Sequence, residues 1–286
     1  MKFAFIQERL AEHAVALSCA VLAVSRAGYY AWRSRPASER RQRYEALAGQ
    51  VEAPYRENRQ VYGSPRICRV LQSRGTAVCA KTVAKVMRER RLRARVKRKF
   101  VPRTTDSVHQ RPVATNVLDR QFGATGRDRK WAADITYIAT DEGWLYLAGV
   151  IDLWSRKIVG WSMAEHLETD LVSDALGMAI ARRRPGAGLL HHSDRGVQYA
   201  SEAYQELLRR ERMTGSMSGK GDCWDNAVME SFWSTLKTEL VHHEQYATRE
   251  EARASIFEYI EVFYNRQRLH SSLGYVSPEA FEASQN

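Results

Sequence analysis

Three acidic residues lie at positions where a carboxylate needs a partner: Asp134, Asp194 and Glu230. Asp134 interrupts the otherwise apolar, β-prone segment 131–138, where an unpaired carboxylate would be strongly unfavourable. Asp194 follows a predicted short strand over 188–192, and open α/β sheets bind ligands at the carboxyl ends of their strands. If the three acids meet, their oxygens suit two Mg²⁺ ions, with Mn²⁺ as a substitute. Such ions activate a water or a 3′-hydroxyl and stabilise the leaving oxygen of a phosphoryl transfer.

Glu230 belongs to a predicted helix over 225–242, for which Asp225 is the expected N-cap. Beside the apolar stripe of this helix, Asn226, Glu230 and Lys237 fall within about 40° of one another at 100° per residue. The stripe that would pack on a sheet consists of Met229, Trp233, Leu236 and Leu240. The helix would therefore hold the polar trio at the rim of the sheet, where Lys237 could bind a phosphate and Asn226 could contact DNA.

The separation between Asp194 and Glu230 is not informative by itself. The chain holds 11 Asp and 22 Glu, and five Asp/Glu pairs have 35 residues between them. Asp106 of one other pair lies in a linker, Asp170 of another opens an amphipathic helix, and two pairs end on a late, surface-like helix. Only Asp194 and Glu230 join a strand end to a packed helix, with Asp134 on an earlier strand, so context selects this set.

The segments around these acids alternate between strand and helix patterns. Five strands are predicted, over 131–138, 145–153, 157–163, 188–192 and 213–217. Helices are predicted over 170–184, 201–212 and 225–242. This order predicts an α/β fold with a mixed five-stranded sheet, in which the first three strands are antiparallel and the later strands are parallel additions.

Charge divides the 286-residue chain into two halves. The formal net charge is +11, but residues 1–130 hold 29 Lys and Arg against 10 acids, whereas residues 131–286 hold 15 against 23. Because phosphate neutralisation dominates affinity for DNA, a front region with a net charge of +19 indicates nucleic-acid binding. Bound divalent metal ions would offset the repulsion between the carboxylates of the acidic rear half and the phosphates of DNA.

No apolar run approaches the roughly 20 residues of a membrane span. Residues 14–24 could form a signal-peptide core, but Glu8 and Glu12 before them and Arg26 after them favour a short amphipathic helix. The four cysteines form no CxxC pair, which argues against a zinc ribbon or a disulfide framework. A reducing cytoplasm, with the protein associated with the nucleoid, fits this composition.

The front half is predicted to hold two small helical DNA-binding units. In the first, residues 13–33 indicate a helix, a break near Ala23-Val24 and a second helix capped by Ser25. In the second, a helix over 43–57 precedes a helix that begins near Pro65 and ends near Gly75.

A further helix is predicted over 80–93, with Val83, Val86 and Met87 as its core stripe. Its other faces resemble those of a recognition helix in a major groove, with cations expected to contact DNA at Lys81, Lys85, Arg88 and Arg91. Residues 97–130 are predicted to be an extended basic linker, which begins with further DNA-binding candidates at Lys97, Arg98 and Lys99. The expected domains are 1–40, 41–96, the linker 97–130, the catalytic core 131–245 and a C-terminal helix and tail over 246–286.

Other polar residues have structural interpretations. Asp152 could neighbour the metal ions, but a pairing with Arg156 or Lys157 is favoured. Of His191 and His192, one is expected to be a strand residue and the other a DNA contact.

The C-terminal region predicts a helix and a polar cluster. Thr248 and Glu251 form the pattern of a capping box at the start of the helix. After the helix, a polar cluster could touch DNA, with Arg266 as the chosen contact, or could tie the tail to the core; it comprises Asn265, Arg266, Arg268 and His270.

Three segments resemble the catalytic blocks of bacterial insertion-sequence transposases of the IS-three family, which share a retroviral-integrase-like core: WAADITYI, HHSDRGVQYAS and DNAVMESFWSTLKTEL. The segments YGSPRICRVL, TTDSVHQRPVATN and YNRQRLHSSLGYVSPEAF extend the resemblance over nearly the whole chain. By this resemblance Asp134, Asp194 and Glu230 occupy the family's Asp-Asp-Glu positions and Lys237 its following basic position. Residues 62–95 match the helix-turn-helix-like module that precedes the core.

The resemblance also implies an RNase H-like fold, dependence on Mg²⁺, cleavage of donor strands at element ends, and joining of 3′-hydroxyls to new phosphodiesters. Its implied partners are double-stranded DNA with terminal inverted repeats, target DNA and further copies of the chain in a homo-oligomer. An upstream-frame product is another implied partner, because this chain starts near the usual start of the family's second reading frame. The chain departs from the family at Ala23, where a turn glycine is usual.

Two other functions fit part of the sequence. A DNA-binding regulator or inhibitor with an inactive core would keep the basic modules, but the intact set of three acids argues against it. A plain RNase H-like nuclease would keep the acids, but it has no need of two helical modules and a basic linker. A metal-dependent DNA transposase accounts for both halves of the chain.

Overall fold

The structure is a computed structural model that describes residues 1–95, 113–219 and 223–285. Much of the predicted linker, including the DNA-binding candidates Lys97, Arg98 and Lys99, lies outside the described residues. The chain folds into two compact units, Met1–Ala53 and Pro54–Asn286.

The first unit is helical and contains α1 (Lys2–Glu8), α2 (Val15–Val21), α3 (Arg26–Ser34) and the first part of α4 (Glu39–Glu57). The predicted helix, break and helix are confirmed. Ala23 adopts a φ of 49° between α2 and α3, and Ser25 accepts a hydrogen bond from the backbone N–H of Gly28 at 2.9 Å, as an N-cap should. The small core of this unit is built on Ile6, Cys19 and Tyr29. Helix α1 is an addition that the sequence pattern did not indicate.

Among the described residues, no single helix is long and apolar enough to cross a membrane. Helices α2 and α3 reach the necessary length and composition only together, and they are bent by 115° relative to each other.

The helix-turn-helix-like module contributes α5 (Ser64–Ser73) and α6 (Ala80–Glu89) to the second unit. Pro65 lies in the first turn of α5 as predicted, and Gly75 follows the helix with a φ of 84°. Helix α6 ends at Glu89 rather than at the predicted Arg93, but its core stripe is buried as expected. The cations predicted to face DNA are all exposed: Lys81, Lys85, Arg88 and Arg91.

The rear half contains the predicted mixed sheet. Its strands are β1 (Lys130–Thr140), β2 (Gly143–Asp152), β3 (Ile158–Ala164), β4 (Leu190–Ser193) and β5 (Thr214–Met217). The strand order is β3-β2-β1-β4-β5, in which β1, β2 and β3 are antiparallel and β4 and β5 are parallel additions. The helices of this half are α7 (Thr169–Arg183), α8 (Glu202–Arg210), α9 (Ala227–Glu239), α10 (Arg249–Glu258) and α11 (Pro278–Ala283).

Helices cover both faces of the sheet, as the RNase H-like fold requires. Residues of α7 and α8 share one apolar core with Ala133, Ala148 and Val150. Helix α7 lies so close to β3 that a Cβ added at Gly160 would stand 2.2 Å from the carbonyl oxygen of Ala175. Helix α9 packs on the opposite face of the sheet. This face is formed by the strand residues that alternate with those of the apolar core, such as Gly149 between Ala148 and Val150.

The C-terminal region closes the edge of the sheet. The predicted capping box of Thr248 and Glu251 starts α10, and a π-helical turn follows it over Tyr259–Tyr264. The Asn265 side chain then bonds both the N–H and the C=O of Ile158 at 2.9 Å, which satisfies the edge strand β3. Asn265 therefore ties the tail to the core, which is the second of the two roles predicted for the polar cluster after the C-terminal helix.

Candidate active site

Asp134 and Asp194 are brought together by the parallel pairing of β1 with β4. The last paired residues of these strands are Ala132 and His192, so extending the register by two residues places Asp134 level with Asp194. Neighbouring strands lie about 4.8 Å apart, so the two carboxylates lie near each other, just past the carboxyl end of β4. The backbone N–H of Gly196 donates to Oδ1 of Asp194 at 2.9 Å and orients this carboxylate just past the strand end.

Helix α9 is hydrogen-bonded to β1 through one residue before Glu230 and one residue after it in the chain. At its start, the Asn226 amide donates to the carbonyl oxygen of Ala133 at 3.0 Å. One turn beyond Glu230, the Trp233 indole N–H donates to Oδ2 of Asp134, also at 3.0 Å. Residues three and four apart share one face of a helix, so Glu230 lies on the face that meets Asp134.

The charges of two of the acids perturb the third. Burial and the neighbouring negative charges of Asp194 and Glu230 hold the pKa of Asp134 well above its ordinary value, although the Trp233 N–H opposes this effect. Lys237 also belongs to the site, since its ammonium lies 4.9 Å from the centroid of the Tyr137 ring and feels the charge of Asp134. Burial lowers the pKa of Lys237. The sequence-predicted acids and Lys237 thus converge on one place.

The convergent acids are not arranged as a ready metal cage. In the described part of the chain, no three His, Cys, Asp or Glu side chains form a group that could hold a metal ion. The donor chemistry nevertheless fits a hard divalent cation, because carboxylate oxygens are hard ligands and a cation would offset the charges of Asp194 and Glu230 that act on Asp134. A further oxygen, Oδ1 of Asn226, is buried at the same helix start without a hydrogen-bond partner among the described residues.

Tyr199, a residue of the apolar core close enough to feel the charges of Asp134 and Asp194, was not predicted from the sequence. Its hydroxyl is buried without a hydrogen-bond partner among the described residues. Burial raises the pKa of Tyr199 well above its ordinary value, and Tyr204, Asp134 and Asp194 raise it further. Tyr199 lies within the block HHSDRGVQYAS, but its residue type alone did not single it out, because a tyrosine in a strand–helix loop is ordinary.

Trp233 and Gly149 also belong to the site. Gly149 is the residue of β2 that pairs with Asp134. A Cβ added at Gly149 would stand 2.8 Å from Cη2 of Trp233, so the indole packs directly against a position without a side chain. The helical stripe predicted that Trp233 would be buried, whereas its hydrogen bond to Asp134 depends on strand register.

Several predicted roles are wrong or change. Asn226 is buried and joins α9 to β1, rather than lying exposed for contact with DNA. Asp225 is not the N-cap of α9, because the helix begins one residue later; it accepts hydrogen bonds from Gly219 N–H, Asn116 and Arg120 instead. No ion pair joins the Asp152 side chain to Arg156 or Lys157 among the described residues, but backbone hydrogen bonds join Asp152 to both and its charge acts on Arg156. Asp152 is buried and accepts backbone N–H groups, including that of Asp128 at 2.8 Å.

The two histidines before Asp194 are both internal, so the predicted DNA contact by one of them is wrong. His191 bonds the Tyr204 hydroxyl at 3.1 Å, and burial and His192 lower its pKa to about 3. His192 bonds hydroxyls of β5 and its neighbour, at 2.9 Å to Ser216, and burial lowers its pKa to about 4. Arg266 is exposed, with Nε 3.6 Å from Glu279, and its contact with DNA remains a prediction.

Comparison with known proteins identifies the family of the chain. Family models described as "Integrase core domain" match residues 124–223 and 211–278, and a model described as "HTH-like domain" matches residues 42–100. The chain is 46% identical over 284 residues to "Transposase InsF for insertion sequence IS3A" of Escherichia coli (strain K12), covering 99% of this chain and 98% of that protein. It is also 46% identical to "Insertion element IS600 uncharacterized 31 kDa protein" of Shigella sonnei, covering 92% of this chain and 96% of that protein. Among solved structures, the magnesium-bound catalytic core domain of HTLV-2 integrase is similar at 14% identity, with a TM-score of 0.43 over 56% of this chain and 99% of that one.

Proposed function

Because the chain belongs to the IS-three family of insertion-sequence transposases, whose integrase core makes it a polynucleotidyl transferase, we propose that it cuts donor DNA strands at the ends of its element and joins the 3′-hydroxyls to new phosphodiesters. One observation carries this proposal. Asp134 lies on a central strand within range of the negative charges of Asp194, which follows β4, and of Glu230, which lies on α9. Nothing in packing alone requires three carboxylates to meet, and their mutual repulsion costs stability.

Asp134, Asp194 and Glu230 would hold two Mg²⁺ ions, with Mn²⁺ as a substitute. When bound, these ions supply activation of a water or 3′-hydroxyl and stabilisation of the leaving oxygen. The chain's own residues position the ligands. Trp233 orients Asp134, the Gly196 N–H orients Asp194, and the anchoring of α9 at Asn226 sets the position of Glu230.

Lys237 would bind the phosphate beside the scissile bond. Its ammonium is partly desolvated against Tyr137, on the same helix as Glu230, and a desolvated cation gains from an anionic partner. Because Lys237 follows Glu230 by two helical turns, it would contact the backbone a short distance from the reacting phosphate.

The front half would recognise the DNA. Exposed cations of α6 are suited to a DNA groove, and the HTH-like family match agrees with DNA binding. We extend the proposal to terminal inverted repeats and target DNA as ligands, to a homo-oligomer on DNA and to an upstream-frame partner. The five-part division at 40/41, 96/97, 130/131 and 245/246 is likewise proposed.

Replacement of Asp194 tests the proposal. Asp194→Asn keeps the shape of the side chain and removes one negative charge, so binding of a duplex bearing an element end should be nearly intact. Strand transfer in Mg²⁺ should be abolished, because one carboxylate of the set is lost. The matched control is Asp174→Asn on α7, which should retain activity.

The parent chain should be assayed with Mg²⁺, with Mn²⁺ and with a chelator, with and without the upstream product. Equal strand transfer by the parent and Asp194→Asn would remove Asp194 from the site. End binding without strand transfer by the parent under every condition would contradict the catalytic proposal and favour a regulator of transposition.

A further inference from the structure

A polar cavity of about 350 Å³ lies against α9, on a side of the helix that does not carry Glu230. Its other walls are Arg66 of α5, Arg156 in the turn between β2 and β3, and residues 270–272 of the tail. All of these parts belong to the unit Pro54–Asn286. The volume is at the lower end of the range for small-ligand pockets and admits a phosphate with its attached sugar.

The charge of this cavity is unbalanced. Three arginines reach it, and of these only Arg268 is paired with a carboxylate of the described residues, through two hydrogen bonds of 2.8 and 2.7 Å to Glu239. Arg66 donates from Nε to the carbonyl oxygen of Leu269, a neutral acceptor. Among the described residues, Arg156 has no side-chain hydrogen bond or ion pair, and none of the described lining residues is an Asp or a Glu.

Burial makes these unpaired charges costly. Desolvation lowers the pKa of Arg156, although Tyr264 and Asp152 oppose it. Desolvation and the neighbouring Arg268 likewise lower the pKa of Arg66, against opposing effects of Glu239 and the tyrosines nearby. An anion in the cavity would remove this cost, because it would pair with guanidinium groups that water no longer solvates well.

We propose that this cavity binds a backbone phosphate of DNA. The planar guanidinium groups of Arg66 and Arg156 match the geometry of a phosphate, and two helix hydroxyls, Ser231 and Thr235, line the same wall as additional donors. The preference of the cavity for a phosphate group rests on its arginine charges and hydrogen-bond donors alone. The inference that this phosphate belongs to DNA rests on the proposed function.

The position on α9 explains why a DNA strand would reach this cavity. Ser231 lines it and is the residue next to Glu230, and successive residues of a helix point about 100° apart. A strand that crosses α9 could therefore contact the acids on one side of the helix and the cavity on the next. The cavity would hold the backbone beside the reacting phosphate, and Arg66 would link the helix-turn-helix module to the same strand.

Arg156→Gln is the principal test, because the guanidinium makes no hydrogen bond to the part of the chain that the structure describes. Binding of a fluorescent element-end duplex is measured by anisotropy in a chelator over a range of salt concentrations. We expect about tenfold weaker binding and a salt slope smaller by about one. Arg156→Lys keeps the charge but not the planar guanidinium that can donate two parallel hydrogen bonds, so its affinity for the duplex should lie between those of Arg156→Gln and the parent. The control Arg209→Gln removes the same charge from an exposed position on α8 and should bind like the parent.

Arg66→Gln is the second variant, and inorganic phosphate is the second probe. Phosphate should raise the Tm of the parent and compete with the duplex, and both effects should fall in each Gln variant. Unchanged duplex affinity in both variants would overturn the proposal, even if phosphate raised the Tm, since the cavity would then bind a free anion only. A loss of affinity that parallels a fall in Tm in both variants would also overturn it, because the arginines would then be structural.

These measurements separate the cavity from the proposed function. They use no divalent metal and score no strand transfer, so a catalytically inactive parent would leave the duplex-binding result interpretable. Conversely, full strand transfer by Arg156→Gln with unchanged duplex affinity would remove the cavity from the DNA path and leave the proposed function intact.

Discussion

The indole N–H of Trp233 donates a hydrogen bond to Oδ2 of Asp134 at 3.0 Å, across the interface between α9 and β1. This bond favours the charged carboxylate, while burial and the nearby charges of Asp194 and Glu230 oppose ionisation. The bond also joins the helix that carries Glu230 to the strand that carries Asp134. Trp233 is therefore a positioning residue for the candidate site.

Trp233→Phe should remove the donor while keeping most of the buried ring. The pKa of Asp134 should rise further, so the acid limb of the pH–activity profile should move to higher pH. Because a hydrogen bond to a charged group contributes about 1.5–3 kcal/mol, strand transfer near neutral pH should fall about tenfold or more. The control Trp161→Phe removes a comparable 2.8 Å bond, from Trp161 to Glu261, outside the site. An unshifted profile in Trp233→Phe would show that the bond does not set the ionisation of Asp134.

Gly149→Ala should displace Trp233, because the new Cβ would lie 2.8 Å from the indole. We expect a loss of about 1–3 kcal/mol in the free energy of unfolding, as for an overpacked core, together with reduced strand transfer. Denaturant titration measures the first effect. Gly177→Ala on α7 is the control, since nothing lies within 4 Å of its added Cβ and alanine favours a helix. Equal stability of Gly149→Ala and the parent would mean that Trp233 can move without cost.

His192 should make the fold less stable in acid. Burial lowers its folded pKa to about 4, below the ordinary 6.5, so the unfolded chain binds a proton that the folded chain does not. Its contribution is therefore present above pH 6.5 and is lost as the pH falls toward 4, by up to about 1.4 kcal/mol per pH unit. His192→Gln should flatten this dependence when unfolding is measured at several pH values, whereas substitution of the exposed His166 by Gln should not. If the free energy of unfolding of His192→Gln depends on pH as steeply as that of the parent, other groups cause the acid sensitivity.

Divalent metal should stabilise the folded chain without any DNA present. Added Mg²⁺ would relieve the repulsion among Asp134, Asp194 and Glu230, and a ligand that binds only the folded state raises the Tm. The increase should be smaller in Asp194→Asn and in Glu230→Gln than in the parent. Monovalent salt at the same ionic strength is the control for screening. A Tm response that is the same in all three proteins would place metal binding elsewhere.

The exposed cations of α6 should control the salt dependence of DNA binding. Lys81→Gln combined with Arg88→Gln removes two candidate phosphate contacts, so the salt slope should fall by about two and affinity should weaken. Arg209→Gln combined with Arg210→Gln removes the same charge from the exposed side of α8. If both pairs reduce the slope equally, net charge rather than α6 governs binding.

Much of the architecture follows from local patterns in the chain. The alternation of apolar strands and amphipathic helices predicted the mixed sheet, and the sharp change of residue types at Asp134 and Asp194 singled out two site residues. These signals are readable because strand burial and helix faces repeat over a few residues. Two helix ends were predicted wrongly, since the N-cap at Asn226 and the end of α6 at Glu89 depend on contacts with the neighbouring segments.

Long-range contacts were decided by the folded chain alone. Residues 233 and 134 are 99 positions apart, and only the register of β1 against β2 and the position of α9 show that an indole meets a carboxylate beside Gly149. Likewise, Arg66 and Arg156 have ordinary sequence surroundings, and they become a candidate phosphate site only where α5, a β-turn and α9 enclose one cavity. Periodicity reports which side of an element is buried, but which partner it is buried against is set by packing over the whole unit.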